Sequence, residues 1–469
     1  MKITSTASIR ALAPQNKEGH QFVCYADACS GVAGAPHEQT FAAVNKVISQ
    51  LTPAPEFICF PGDEIRGLTA DEDDLRAQWR YWFDHEMAWL DSDIPLYHTT
   101  GNHTVYDDMS EAVYCEVMAH LPQNGPDDQK SLSYFVRRGD LLMVFVHTLP
   151  LTLGGEGRVE TEWLEQTLHN HADATHKLVF GHHPVHSVNG FSGAYQRDID
   201  PDDGRAFWDV LVKHNVPAYI CSHILAFDVQ VHEGVLQILT AGAGTKHRMP
   251  EGIEYLHCMQ LALDARGLRY QVLDIDGNIR EWLQWPLNLP AVTTWQSWST
   301  DEALAGVVNV SESDVPVATL VAWQLSGVCA TSNGSDNVQT LLCGLSEDAA
   351  ALSPVWIGLR GKENRLCVLL SPEVGRSPHL WMGPTLTPGE SFSFQLAIHT
   401  GMGPGGLLWR WDETKPWSSL VGATAWGAER LSWPSRWQVG YGQYGPESSP
   451  FGGERLEVRG CVQVLELEI

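Results

Sequence analysis

Positive charge is scarce in this 469-residue chain: 30 Lys and Arg stand against 57 Asp and Glu, a formal net charge of −27. A field of that sign repels nucleic-acid backbones and anionic membranes, and argues against both as partners; a local cleft can still hold one phosphate. No run of about eighteen apolar residues occurs, so nothing is expected to span a membrane. Met1-Lys2-Ile3-Thr4-Ser5 lacks a charged start followed by an apolar core, so no signal peptide is expected. The ten cysteines include no C-x-x-C pair, and Cys24, Cys59, Cys221 and Cys367 sit inside apolar runs. That usage fits buried, reduced thiols and a cytoplasmic protein. Internal repeats and low-complexity segments are also lacking.

What is present is globular in character, 43% hydrophobic and 19% charged, and too long for one ordinary core. Two domains are expected, 1–287 and 291–469. Residues 18 to 285 alternate strand-like runs with helical stretches, which predicts an α/β layer structure. His37–Leu51 spaces Phe41, Val44, Val47, Ile48 and Leu51 as a helix does, and Ala70–Leu90, Glu160–His169 and Phe207–His214 read as further helices. Met259–Leu263 and Leu268–Leu273 read as a hairpin turning at Asp264-Ala265-Arg266-Gly267. Beyond Trp285-Pro286 helical spacing ends. Short alternating runs such as Ala318–Leu325, Val355–Leu359, Leu366–Leu370 and Ser391–Ile398 predict an all-β sandwich. Eleven of the 18 tryptophans lie there, as a separate core would need.

The chemistry lies in the first half. Four runs read as buried strands: Phe22–Tyr25, Phe57–Phe60, Leu178–Phe180 and Ala218–Cys221. Asp27, Gly62-Asp63, Gly181-His182-His183-Pro184 and His223 follow them, and Gly101-Asn102-His103 falls between the second and third. Carboxylate, amide and imidazole groups gathered from distant strand ends are how a fold builds a divalent metal site. The ordered set Asp27, Gly62-Asp63, Gly101-Asn102-His103, Gly181-His182-His183-Pro184 and His223 resembles the calcineurin-like metallophosphoesterases, including the purple acid phosphatase branch, over roughly residues 18 to 280. Tyr270–Gly277 is similar to the closing strand and turn of that family.

The resemblance implies a four-layer αββα sandwich and two metals bridged by one aspartate, here Asp63. It implies that the second metal takes Asp63, Asn102, His182 and His223, and that His103 protonates the leaving oxygen after metal-activated water attacks phosphorus. The first metal would use Asp27, Asp63 and two histidines, but Cys29 and Leu225 stand at the histidine positions. Arg66 stands where the purple acid phosphatases carry a compensating tyrosine. Three readings remain: Cys29 supplies a thiolate to a softer metal, zinc or iron; the first position is empty and Arg66 supplies a fixed positive charge; or the domain only binds. His183 and His186 are candidate substrate contacts, and His247 either reaches the cleft or is an ordinary loop histidine, while Thr104 stands where the family has an acid that orients the catalytic histidine.

The expected protein is thus a metal-dependent hydrolase of a phosphate monoester or phosphodiester. It would use one or two divalent ions (iron, manganese or zinc), with His103 and Arg66 as catalytic residues. The alternative is a catalytically retired domain that binds a glycan or partner. The C-terminal half is similar to concanavalin-like or laminin-G-like jelly rolls. Trp409, Trp411, Trp417, Trp433 and Trp437 are candidate glycan contacts there, or else core and interface residues in a module that could form a homo-oligomer. The expected substrate is a small-molecule or glycan-linked phosphate.

Overall fold

A computed structural model describes residues 8–16, 18–149, 157–191, 198–244, 249, 253–298, 317–331, 337–345, 353–371, 378–402, 406–423, 434, 436–444 and 447–467. His247 and Trp433 lie outside the described residues.

The runs that read as strands are apolar at every position because both of their faces are covered. In Leu141–Phe145, Leu141, Met143 and Phe145 face one apolar cluster, and Leu142 and Val144 face another. His176–Phe180 and Ala218–Cys221 divide their side chains the same way. These strands run parallel at the centre of a six-stranded sheet. A second six-stranded sheet places His20–Cys24, Ile58–Phe60 and Leu96–His98 side by side and parallel, and the hairpin His257–Asp264/Gly267–Asp274 extends it antiparallel. The sheets meet through aromatic rings: Phe145 stacks on Phe180 at 4.9 Å, and Phe180 meets Phe22 edge-on at 6.5 Å. Helices Thr161–Asn170 and Pro201–Lys213 bury Leu164, Leu168, Phe207 and Leu211 against the outer face of the first sheet. Helix Pro36–Ser49 lays Phe41, Val44, Val47 and Ile48 onto the second. This is the αββα sandwich that the resemblance implies.

Several elements go beyond the sequence expectation. They are helix Asp108–Val117 and strands Leu96–His98 and Tyr134–Arg138. The stretch expected as one helix over Ala70–Leu90 is an α-helix at Glu72–Tyr81 followed by a wide π-type turn at Trp82–Glu86.

Among the described residues, the C-terminal half is β structure apart from one 3-10 turn at Val292–Thr294. One six-stranded sheet centres on Glu454–Glu466, Val317–Val328 and Ser391–His399, and the other on Val338–Leu345, Val355–Arg360 and Arg365–Leu370. Trp298, Trp323 and Trp437 pack ring to ring, with centroids 5.4 to 5.8 Å apart, in the core between the sheets. Of the tryptophans proposed as glycan contacts, Trp437 and Trp417 are therefore buried; Arg410 lies 4.3 Å above the Trp417 ring. Trp411 is exposed and meets the partly buried Trp409 edge-on. No helix among the described residues is long and apolar enough to cross a membrane.

Candidate metal centre

The parallel strands His20–Cys24, Ile58–Phe60, His176–Phe180 and Ala218–Cys221 deliver their following loops to one edge of the sandwich, together with the loop after Leu96–His98. The first two loops are zipped together by backbone. The Asp27 amide donates to the Gly62 carbonyl (3.2 Å), Cys29 to Asp63 (2.8 Å), Ser30 to Glu64 (3.0 Å), and Arg66 back to Ser30 (2.7 Å). The zipped loops and the turn at His223 hold unusual backbone. Asp27, Cys29, Asp63 and His223 all have positive φ, 63°, 44°, 59° and 72°. Each such residue costs on the order of 1 kcal/mol and survives only where its surroundings over-determine it.

Glycine makes the close approach possible. A Cβ on Gly101 would lie 2.1 Å from Asp63 Oδ1, and one on Gly62, at φ 91°, would lie 2.7 Å from His182 Nδ1. The glycines of Gly62-Asp63 and Gly101-Asn102-His103 therefore clear space for the polar atoms beside them.

Four donors converge. His182 Nε2 lies 3.1 Å from Asn102 Oδ1, 3.2 Å from His223 Nδ1 and 3.4 Å from Asp63 Oδ2. His182 Nδ1 is 2.8 Å from the Pro61 carbonyl, which can only accept, so Nδ1 carries a proton and Nε2 is the atom turned into the cluster. Ser222 steadies the arrangement by donating to the same carbonyl, with its hydroxyl 2.9 Å from His182 Nδ1.

The electrostatics call for positive charge. Burial opposes ionisation of Asp63, but His182 and His103 hold its carboxyl well below the usual carboxylate range. Burial likewise opposes charging of His182, yet Asp63 and Asp27 raise it to about 9. Burial raises Asp27 to about 7, an effect that His182 partly offsets. Two carboxylates, a side-chain carbonyl and imidazoles in a dry cleft are donors that fit a divalent cation. Asp63, His182 and His223 offer ligand atoms all within 4.8 Å of one another, and so do Cys29, Asp63 and His103. Asp63 is common to both groups.

The remaining predicted residues take varied places. Asp27 is buried at the cluster's edge, where its Oδ2 accepts from the His223 amide at 3.0 Å, and it belongs to neither group of three. His103 is pinned at both ends: its amide donates to Asp63 Oδ1 (2.9 Å) and its Nδ1 to the Arg66 carbonyl (2.7 Å). Arg66 thus supplies backbone to the centre, while its side chain is exposed. His183 is buried, 4.3 Å from the His223 ring, with Nδ1 3.0 Å from the Thr148 hydroxyl. His186 lies elsewhere, stacked on His232 at 3.5 Å and edge-on to Trp208, where burial lowers its pKa to about 4. Thr104 closes the Gly101 turn, accepting from the Gly101 amide and donating to its carbonyl, both at 2.9 Å. Leu225 packs against the apolar cluster outside the first sheet.

Sequence reasoning passed over three supporting residues. Ser222, next to His223, carries no motif signal of its own. Glu86, far along the chain, accepts from the Ser30 hydroxyl and the Gly31 amide and so anchors the first loop. Glu64 is buried behind Asp63 with its Oε1 2.8 Å from His98 Nδ1; burial pushes Glu64 up and His98 down to about 3, both toward the neutral form. The only sequence signal for Glu64 was a second acid beside Gly62-Asp63.

Residues 21–227 match the family model described as calcineurin-like phosphoesterase. Similar solved structures include the purple acid phosphatase PPD1 of yellow lupin, Lupinus luteus: 14% identity over 58% of this chain and 55% of that one, TM-score 0.44. A dimetal phosphatase from Danio rerio is 15% identical over 54% of this chain and 95% of that one, TM-score 0.41. No curated protein matches.

Proposed function

Residues 21–227 form a calcineurin-like phosphoesterase domain, and on that premise we propose that this protein is a hydrolase of phosphate monoesters or phosphodiesters working at a divalent ion held by Asp63, Asn102, His182 and His223. The observation that carries the reading is the convergence of Asn102 Oδ1, His223 Nδ1 and Asp63 Oδ2 within 3.1 to 3.4 Å of His182 Nε2. The chemistry such an ion supplies when bound is activation of water near neutral pH and neutralisation of phosphoryl charge.

The chain's own residues do the rest. Asp63 accepts from the His103 amide while its other oxygen turns to the ion position, so one carboxylate sets the spacing between metal and proton donor. With Nδ1 tied to the Arg66 carbonyl, the His103 imidazole presents Nε2 to the departing oxygen and gives up a proton there. His183, behind His223, keeps the wall of the cleft imidazole-lined and polar. The acidic surface, at −27 overall, favours a small phosphate compound over a nucleic acid or an anionic membrane.

The test uses the full-length protein supplied with manganese, zinc or iron(II), assayed against an aryl phosphate and an aryl phosphodiester. Turnover of one of them is expected, with a loss of about a hundredfold or more in Asp63→Asn and His223→Ala together with lost metal. Unchanged metal content and turnover in His223→Ala would remove the site from consideration.

A further inference from the structure

We propose that the buried pair Glu64–His98 positions the metal centre: it ties the loop that carries Asp63 to the loop that carries Asn102 and His103, and so fixes the gap that a divalent ion must fit. The inference rests on the reading that Asp63, Asn102, His182 and His223 hold such an ion, and deepens it.

Glu64 Oε1 lies 2.8 Å from His98 Nδ1, and neither side chain reaches solvent. Each end of this tether is anchored. On the first loop Glu64 follows Asp63, whose φ of 59° its neighbours must hold, and the Glu64 carbonyl accepts from the Ser30 amide at 3.0 Å. On the second, His98 ends strand Leu96–His98 beside Phe60. Its amide donates to the Tyr134 hydroxyl at 3.0 Å, and its carbonyl accepts from the same hydroxyl at 2.7 Å. The imidazole sits among the rings of Trp82, Phe83 and His120, with centroids 5.8 to 6.1 Å away, a box that leaves it little freedom to turn. Asn102 stands four positions after His98, and the His103 amide donates back to Asp63 Oδ1 at 2.9 Å. The two ligand loops are thus pinned at both ends of a short span.

The pair is costly where it sits. Glu64 Oε2 and His98 Nε2 are buried without a hydrogen-bond partner among the described residues. A buried polar pair with unmet atoms adds less to stability than apolar side chains of similar volume would. Its gain is geometric: an apolar contact slides, whereas a hydrogen bond holds one length and direction. Partners that fix the placement of metal ligands are worth about ten- to a hundredfold in affinity.

The experiment reads two quantities on metal-depleted full-length protein: zinc affinity, by competition with a chelating dye, and melting temperature without metal. The deciding variant is the double substitution Glu64→Met with His98→Leu. Its melting temperature is expected to equal or exceed that of wild type, while zinc binds about tenfold more weakly or worse. Glu64→Gln can still bond His98 Nδ1 in either tautomer and is expected to bind zinc as wild type does. Glu64→Asp keeps the acid but shortens the tether by one methylene; it should weaken zinc binding at unchanged circular dichroism, and it carries the test should the double variant not fold. Wild-type zinc affinity in the double variant or in folded Glu64→Asp overturns the proposal. A double variant that loses melting temperature and affinity together assigns the pair to the core and overturns it as well. His223→Ala, run alongside, separates the two claims. Zinc binding lost there but kept in the pair variants sinks the pair alone, whereas zinc binding kept in His223→Ala removes the site and the pair's role with it.

Discussion

Ser222 decides the direction in which His182 can offer its lone pair. Its hydroxyl and the His182 Nδ1–H converge on the Pro61 carbonyl, and the imidazole cannot rotate without breaking that three-way contact. Groups that orient a ligand in this way typically contribute ten- to a hundredfold to metal affinity. Ser222→Ala is therefore expected to weaken binding at the Asp63–His182–His223 position by about tenfold or more with little change in folding, as competitive titration against a chelating dye would register. An affinity unchanged by this substitution would mean that the Pro61 carbonyl alone orients the ring. The same logic separates what was legible residue by residue. The candidate ligands Asp63, Asn102, His182 and His223 could be read from the chain because each belongs to a short local motif. Ser222, Glu86 and Glu64 could not be read as partners, because their roles depend on which carbonyl, hydroxyl or ring another loop brings alongside. The stacking of His186 on His232, from a strand 46 positions on, is equally invisible before the chain folds.

At the level of elements, the strands that feed the centre were legible because they are apolar on both faces, and their loops begin where the apolar run stops. Helix Asp108–Val117 was not legible. Only Ser110, Val113 and Tyr114 of it are buried, too few to set up a helical stripe, and its capping box uses Ser110 where glutamate or glutamine is the usual signal. That cap is strong in the fold: Asp107 accepts from the Ser110 amide at 2.8 Å, and the Ser110 hydroxyl accepts from the Asp107 amide at 2.9 Å. Asp107→Ala should cost about 1 kcal/mol in urea unfolding; a change below a few tenths would show that packing alone holds the helix. A second element-level prediction concerns pH. His20 on one sheet is 3.2 Å from Glu56 and 3.2 Å from Asp140, and Asp140 sits in the turn of the other sheet. The hydrogen bond to Glu56 and the attraction of both acids raise the His20 pKa, against the opposing effect of burial. Burial works to raise Glu56, but its bond from His20 and the Gln21 amide bring it below its usual value. The raised imidazole adds stability that is complete below about pH 6.5 and fades as pH rises through the folded-state value. The lowered carboxylate adds stability that is complete above about pH 4.3 and fades as pH falls through its own. The cluster therefore contributes most between those limits, and the stability difference between wild type and His20→Gln should peak there and shrink toward pH 8. A difference that is flat with pH would assign the cluster no charge.

At the scale of the whole molecule, the two halves that composition separates at Trp285-Pro286 are joined by more than a linker. One apolar cluster runs from Phe227, Val229 and Trp285 of the first half to Leu320, Ala322, Leu408 and Trp417 of the sandwich. Backbone follows it: the Gly234 amide donates to the Trp417 carbonyl at 2.9 Å, and the Val231 amide to the Ser419 hydroxyl at 2.9 Å. Asn189 is the polar pin of this seam. It is 5% exposed, donates through Nδ2 to the Leu420 carbonyl at 2.9 Å, and accepts at Oδ1 from the Gly422 amide at 2.8 Å. Strand Phe227–His232, at the edge of the first sheet, thus meets a serine hydroxyl of the sandwich, which covers part of an edge that would otherwise offer open backbone. Coupling of this kind makes unfolding of either half expose apolar surface on the other, so a calorimetric scan of the intact chain is expected to show one transition, where two independent domains would show two. Asn189→Ala removes two buried hydrogen bonds and strands their backbone partners, at about 2 kcal/mol. If the seam is what couples the halves, that substitution lowers the single transition or begins to split it. A variant whose melting profile is identical to that of wild type would place the coupling entirely in the apolar cluster.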